Sequence, residues 1–133
     1  MRRPLPLPHL LAAALALTAP ALALAAAPAA RAGDDARVSA DCARGADGEL
    51  RLKGDDGKVE VELRIDTRRG GAHWSVALVH ERRVAWRGSA RTRSNGSLRI
   101  RRTLPDYPGA DEISVRASGP RGVSCLATAT LEG

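Results

Sequence analysis

The chain of 133 residues has no phenylalanine, one tyrosine and two tryptophans. A core built from it must be filled by Val, Leu, Ile and Ala, so any covalent brace gains in importance. Also missing is any stretch after Val38 that sustains a helical period, which leaves an all-β domain. There is no Gly-x-Ser-x-Gly frame, so a hydrolytic serine has no elbow to sit on. Cysteine is confined to Cys42 and Cys125, without C-x-x-C spacing or a nearby His, which excludes a zinc-binding or redox-active thiol pair.

Acidic residues are absent from the first 32 positions, and what stands there instead has the form of an export signal. Arg2 and Arg3 make a charged head, Leu10 to Ala27 is almost wholly Leu and Ala, and Ala30-Arg31-Ala32 before Gly33 is an A-x-A exit. Pro20 and Pro28 interrupt an apolar run shorter than the roughly 20 residues a bilayer span needs, so cleavage is expected rather than anchoring. A second exit at Ala23-Leu24-Ala25 shifts the cut by several residues. Neither leaves a cysteine at the new N-terminus, so no membrane anchor is expected after cleavage. Residues 1–32 are thus read as a signal peptide and 33–133 as the exported domain, destined for the extracellular space.

Export changes the charge. The whole chain carries a formal +6, with 21 basic residues against 15 acidic ones; without Arg2, Arg3 and Arg31 the domain keeps 18 basic residues and a net +3. A mildly basic exported domain gives no reason to invoke nucleic acid. In an oxidising compartment, Cys42 and Cys125 are expected to form one intramolecular disulfide. Closing so long a loop is worth about 4 to 5 kcal/mol in the chain-entropy model.

From Val38 onward, apolar and polar residues alternate with period two. Val59, Val61, Leu63 and Ile65 share one face of a strand whose other face carries Lys58, Glu60, Glu62, Arg64 and Asp66. The same alternation predicts strands over Val38 to Cys42, Glu49 to Lys53, Ala72 to His80, Val84 to Arg91, Ser97 to Leu104, Glu112 to Ser118 and Val123 to Leu131. Trp74, Val76 and Leu78 face inward on one, Val84 and Trp86 on the next. Gly54-Asp55-Asp56-Gly57 and Asn95-Gly96-Ser97 are expected to be tight hairpin turns, since Asp, Asn and Gly supply the conformations such turns need. The alternatives are oxygen ligands for calcium in the first and a glycosylation sequon in the second. The first lacks the frame of an EF-hand loop.

Seven to eight short strands at this spacing predict an antiparallel two-sheet sandwich. The arrangement resembles an immunoglobulin-like or fibronectin-type sandwich. Trp74 looks like the buried tryptophan of strand C, and Leu104 to Asp111 like the corner before strand F. The cysteines depart from that pattern by falling on the first and last strands, and Tyr107 lies too early for the usual tyrosine corner. The chain is also similar to small secreted β-sandwich proteins of actinobacteria, through Cys42, the strand Gly57 to Leu63, Trp74-x-Val76-x-Leu78 and Cys125. That resemblance implies fold and export and no activity.

Chemistry-bearing groups are sparse. His73 and His80 are seven apart on one strand and so point to opposite faces, which prevents them from sharing a metal. No catalytic residue, metal or cofactor is expected. The strongest asymmetry is eight arginines within 21 residues, Arg82, Arg83, Arg87, Arg91, Arg93, Arg99, Arg101 and Arg102, with no acid among them. A solvated face neutralised by neighbouring strands is the favoured account. If Glu60 and Glu62 take up Arg99 and Arg101, then Arg82, Arg83, Arg87, Arg91 and Arg93 remain to contact an anionic partner, such as a cell-wall polymer or an extracellular protein. Arg102 shares the inward parity of Leu98 and Ile100, so a strand end or bulge is expected there. The domain is read as a monomeric, non-enzymatic extracellular binding module. The alternative is a secreted protease inhibitor that inserts the two-proline loop Leu104 to Asp111.

Overall fold

Because side chains alternate across a strand, each segment of this chain is apolar on one face only and must lay that face against another. The computed structural model describes residues 35–132; the expected leader, 1–32, lies outside them. Eight strands form: β1 (Asp35–Cys42), β2 (Asp47–Asp55), β3 (Lys58–Asp66), β4 (His73–His80), β5 (Arg83–Arg91), β6 (Ser97–Pro105), β7 (Asp111–Ser118) and β8 (Ser124–Leu131). A short 3-10 turn, Pro120–Gly122, joins the last two. On β3 the inward set Val59, Val61, Leu63 and Ile65 is fully enclosed, and Trp74, Val76 and Leu78 of β4 meet the same core.

All pairings are antiparallel, and the order is β5-β4-β7-β8-β1-β2-β3-β6. The expectation of two separate sheets is therefore modified: the strands make one continuous sheet wrapped around the core. β1 is the reason. Its first six residues, Asp35 to Ala40, pair with β2, while its last two, Asp41 and Cys42, pair with β8. Cys42 lies directly opposite Cys125 in that short ladder, and the two are bridged. The disulfide thus reinforces the shortest ladder in the sheet. Cys125 is buried and Cys42 half-buried.

The opposite seam, between the edge strands β5 and β6, has no ladder among the described residues. There the Arg102 guanidinium lies 4.1 Å from the centre of a Trp86 ring. This settles how Arg102 reaches water. No bulge interrupts β6, which pairs with β3 from Pro105 to Ser97 without a shift. Arg102 keeps its inward parity, but at the unclosed edge "inward" means over Trp86 rather than into the core.

Two turns differ in an instructive way. Asp56 and Gly57, at φ 49° and 74°, make the expected two-residue hairpin between β2 and β3. Asn95-Gly96 instead carries the chain from β5 across to β6, which do not pair with each other. Asn95 Oδ1 accepts the Ser97 N–H (3.0 Å), and Gly96 N–H donates to Arg93 O (2.9 Å). Gly96 sits at φ 85°, and a Cβ there would fall 1.9 Å from Thr67 O, so only glycine fits. Val84 was expected inward and is half exposed, because the β4–β5 register slips by one residue between Leu78 and Val79 and reverses its parity.

Candidate functional site

Strands that alternate in direction gather their connections at two ends. At one end lie residues 43–46, 67–72, 92–96 and 119–123, which between them carry Arg44, Arg68, Arg69, Arg93 and Arg121 and no acid. At the other lie 56–57, 81–82 and 106–110, which carry Asp56, Glu81 and Asp106 against Arg82 alone. The connections are thus electrically polarised along the strands, with Asp41, Asp47 and Asp66 on the strand ends that adjoin the basic side. Among the described residues, none of the five arginines at the basic end has a carboxylate within salt-bridge distance or donates a side-chain hydrogen bond.

The backbone beneath these arginines is stitched in place. Thr92 Oγ1 donates to Arg69 O (2.6 Å) and accepts the Ala72 N–H (2.8 Å), and Thr67 N–H donates to Gly96 O (2.9 Å). Those bonds tie connection 67–72 to 92–96. Ala43 N–H donates to Ser124 O, and Gly119 N–H to Val123 O. Arg44 and Arg121 take left-handed backbone conformations, φ 58° and 60°.

Arg44, Arg68, Arg69 and Arg121 rim a cleft of about 480 Å³ whose wall includes Trp74, Pro120 and Val123. Trp74 is only 1% exposed, and its indole N–H has no acceptor. The strap 119–123 packs onto that ring so closely that a Cβ at Gly119 would fall 2.5 Å from Cε2.

The acidic end holds a buried polar group that sequence patterning missed. His80 and Asp111 are 4% and 1% exposed, with Nε2 and Oδ1 2.6 Å apart. Tyr107 stacks on the imidazole, its ring centre 4.7 Å away, and donates its N–H to Asp111 Oδ1 at 3.3 Å. Burial alone would raise the Asp111 carboxyl, but hydrogen bonds from His80, Asp106 and the Tyr107 backbone outweigh it and hold Asp111 below its ordinary value. Asp106, bonded to and repelled by Asp111, is held above. Glu81 lies alongside, its Oε1 accepting the Glu112 N–H at 2.7 Å. One signal was available in the sequence: His80 has the parity of Trp74, Val76 and Leu78, and an inward His needs a partner. His73, as its opposite parity required, is exposed. The loop Leu104 to Asp111 is folded back onto its own domain by these contacts and by Asp106 N–H donating to Gly57 O (3.1 Å).

The arginines singled out by sequence are not brought together. Arg82 and Arg83 stand at the acidic end, Arg87 lies midway along β5, Arg91 donates to Gly71 O at 3.4 Å, and Arg93 belongs to the basic end. At roughly 3.3 Å per residue, the strip runs the length of an edge strand instead of forming one site. The remaining arginines follow the expected pairing in part. Glu62 lies opposite Arg101 and also contacts Arg64 and Arg99. Burial would raise Glu62, but the Arg64 hydrogen bond and the charges of Arg101, Arg64 and Arg99 outweigh it and hold its carboxyl low. Glu60 faces Thr103 and makes no ion pair among the described residues.

No family model and no curated protein matches the chain. Among solved structures, the crystal structure of chicken MD-1 complexed with lipid IVa overlaps 73% of this chain and 97% of its own, at 8% identity and a TM-score of 0.31. An overlap that loose carries no weight for this chain's fold or ligand.

Proposed function

We propose that the protein is a secreted, non-enzymatic binding module that engages an anionic extracellular partner through its basic end. The carrying observation is that four connections, distant in sequence, deliver to one pole five arginines that are unpaired among the described residues, outnumbering Asp41, Asp47 and Asp66 on the adjoining strand ends. Fixed charges of one sign gathered on a stitched scaffold cost stability through mutual repulsion and raise the local concentration of anions. Export is supported by the leader-like first 32 residues and by the disulfide, which belongs to oxidising compartments. Among the described residues no helix is long and apolar enough to cross a membrane. An immunoglobulin-like arrangement of the strands is part of this reading, supported by the β3–β6 and β4–β7 pairings and by the buried Trp74.

Two charge-matched variants of the domain 33–133, which contains every strand, test it. Arg68→Ser, Arg69→Ser and Arg121→Ser together should shift elution from a phosphocellulose column to markedly lower salt. Arg82→Ser, Arg83→Ser and Arg87→Ser together, away from that end, should leave elution near that of the parent. Equal shifts would mean that net charge alone governs retention, and the basic end would lose its claim.

A further inference from the structure

Resting on that reading of the basic end, we infer that the cleft beside Trp74 is a site for a phosphomonoester carried on an aromatic or compact apolar body. The rim supplies the first half of the specification. Arg44, Arg68, Arg69 and Arg121 come from three separate connections and converge on one opening with no carboxylate among them. A guanidinium presents a planar fork that matches two oxygens at once. Several forks around one opening are better answered by a dianion with three terminal oxygens than by a carboxylate, whose two oxygens and single charge satisfy one or two of them.

The wall supplies the second half. Below the rim the cleft is lined by Trp74, Pro120, Val123, Ala46 and Ala72. Free phosphate would leave this apolar surface wet, whereas a ring or short branched chain attached to the phosphate would cover it. The indole adds a further mark. Buried polar groups are nearly always hydrogen-bonded, yet the Trp74 N–H has no acceptor among the described residues. The cleft also differs from the other basic surfaces: Arg87 adjoins a shallow apolar surface of Val79, Val84 and Leu126, but only Arg116 joins it there, so no set of several guanidinium forks surrounds that surface.

Trp74 is one of two tryptophans in the chain, so Trp86→Phe makes its emission a direct report from the wall. Titration of that protein with phenyl phosphate should change the emission saturably, with roughly tenfold tighter binding than inorganic phosphate. Phenol should give no saturable change, and benzoate should bind more weakly than phenyl phosphate. Arg44→Ser with Arg121→Ser should weaken phenyl phosphate by roughly tenfold or more. Calorimetry on the unsubstituted domain gives the same ranking without the Trp86 change. Equal binding of phosphate and phenyl phosphate would remove the apolar half of the inference, equal binding of benzoate the dianion, and absence of any binding the whole of it. Because column retention is measured separately, the cleft can fail while the basic end stands, and a failure of the basic end is seen in the column alone.

Discussion

Removing the carboxylate of Asp111 should be the most damaging polar substitution in the domain. In Asp111→Ala the His80 imidazole, 4% exposed, loses the partner 2.6 Å away, and the Tyr107 N–H loses its acceptor. A buried donor left without a partner costs about 1 to 3 kcal/mol. Asp111 is held low and so is ionised at neutral pH, and a hydrogen bond to an ionised group contributes about 1.5 to 3 kcal/mol. Tyr107, which covers the pair, is 48% exposed, so the lower end of the combined range applies. The expected loss is about 3 kcal/mol, out of a total of about 5 to 15 kcal/mol for a domain of this kind. Replacing both residues, His80→Leu with Asp111→Leu, removes the orphan along with its partner, so the double variant should lose less than the sum of the singles by at least about 1 kcal/mol. Urea unfolding followed by circular dichroism measures all of these. The sign of the pH dependence is also fixed. Asp111 is held below its ordinary 3.8, so its contribution is complete above that value and is lost as pH falls through the lower folded value. Asp106, held above its ordinary value, acts in the opposite sense, and its contribution fades as pH rises through its raised value. The Asp111→Ala penalty should therefore shrink near pH 3. A loss under about 1 kcal/mol at neutral pH, or additive singles, would refute the reasoning.

Replacing Cys42 and Cys125 with Ala should cost about 4.5 kcal/mol, given a sequence separation of 83, and the exported protein should be two mass units lighter before reduction than after; free thiols would contradict the pairing. Trp74→Ala should cost about 3 to 5 kcal/mol, and Trp86→Ala clearly less because Trp86 is half-buried at an open seam; equal losses would mean that the seam between β5 and β6 is as tightly closed as the core. Glu62→Gln should change stability by no more than about 1 kcal/mol, since its arginine partners are exposed, and should tighten retention on an anionic matrix by freeing Arg64, Arg99 and Arg101; weaker retention would contradict the shared pairing.

Period two is a local property, written within a few consecutive residues, and so the sequence alone determined where strands run, which side chains most of them bury, with Val84 the exception that the β4–β5 register shift makes, and that Asp56-Gly57 turns tightly. It also paired Cys42 with Cys125, because two cysteines in an oxidising compartment leave one choice. Nearness across strands is not local, and there the sequence was silent. Grouping arginines by proximity along the chain assembled a strip, but neighbours on one face of an extended strand stand roughly 7 Å apart and move steadily away from one another. Arg44, Arg68, Arg69, Arg93 and Arg121 are scattered in sequence and meet because alternating strands return every second connection to the same end. That rule could have been applied without coordinates; which of those connections surround Trp74 could not. His80 announced by its parity that it needed a partner, but only the β4–β7 register, which sets His80 opposite Ile113, could bring Asp111 to it. Arg102 obeys its inward parity and still reaches water, because the tertiary structure leaves the β5–β6 seam open and a side chain's face means burial only where a second layer covers it.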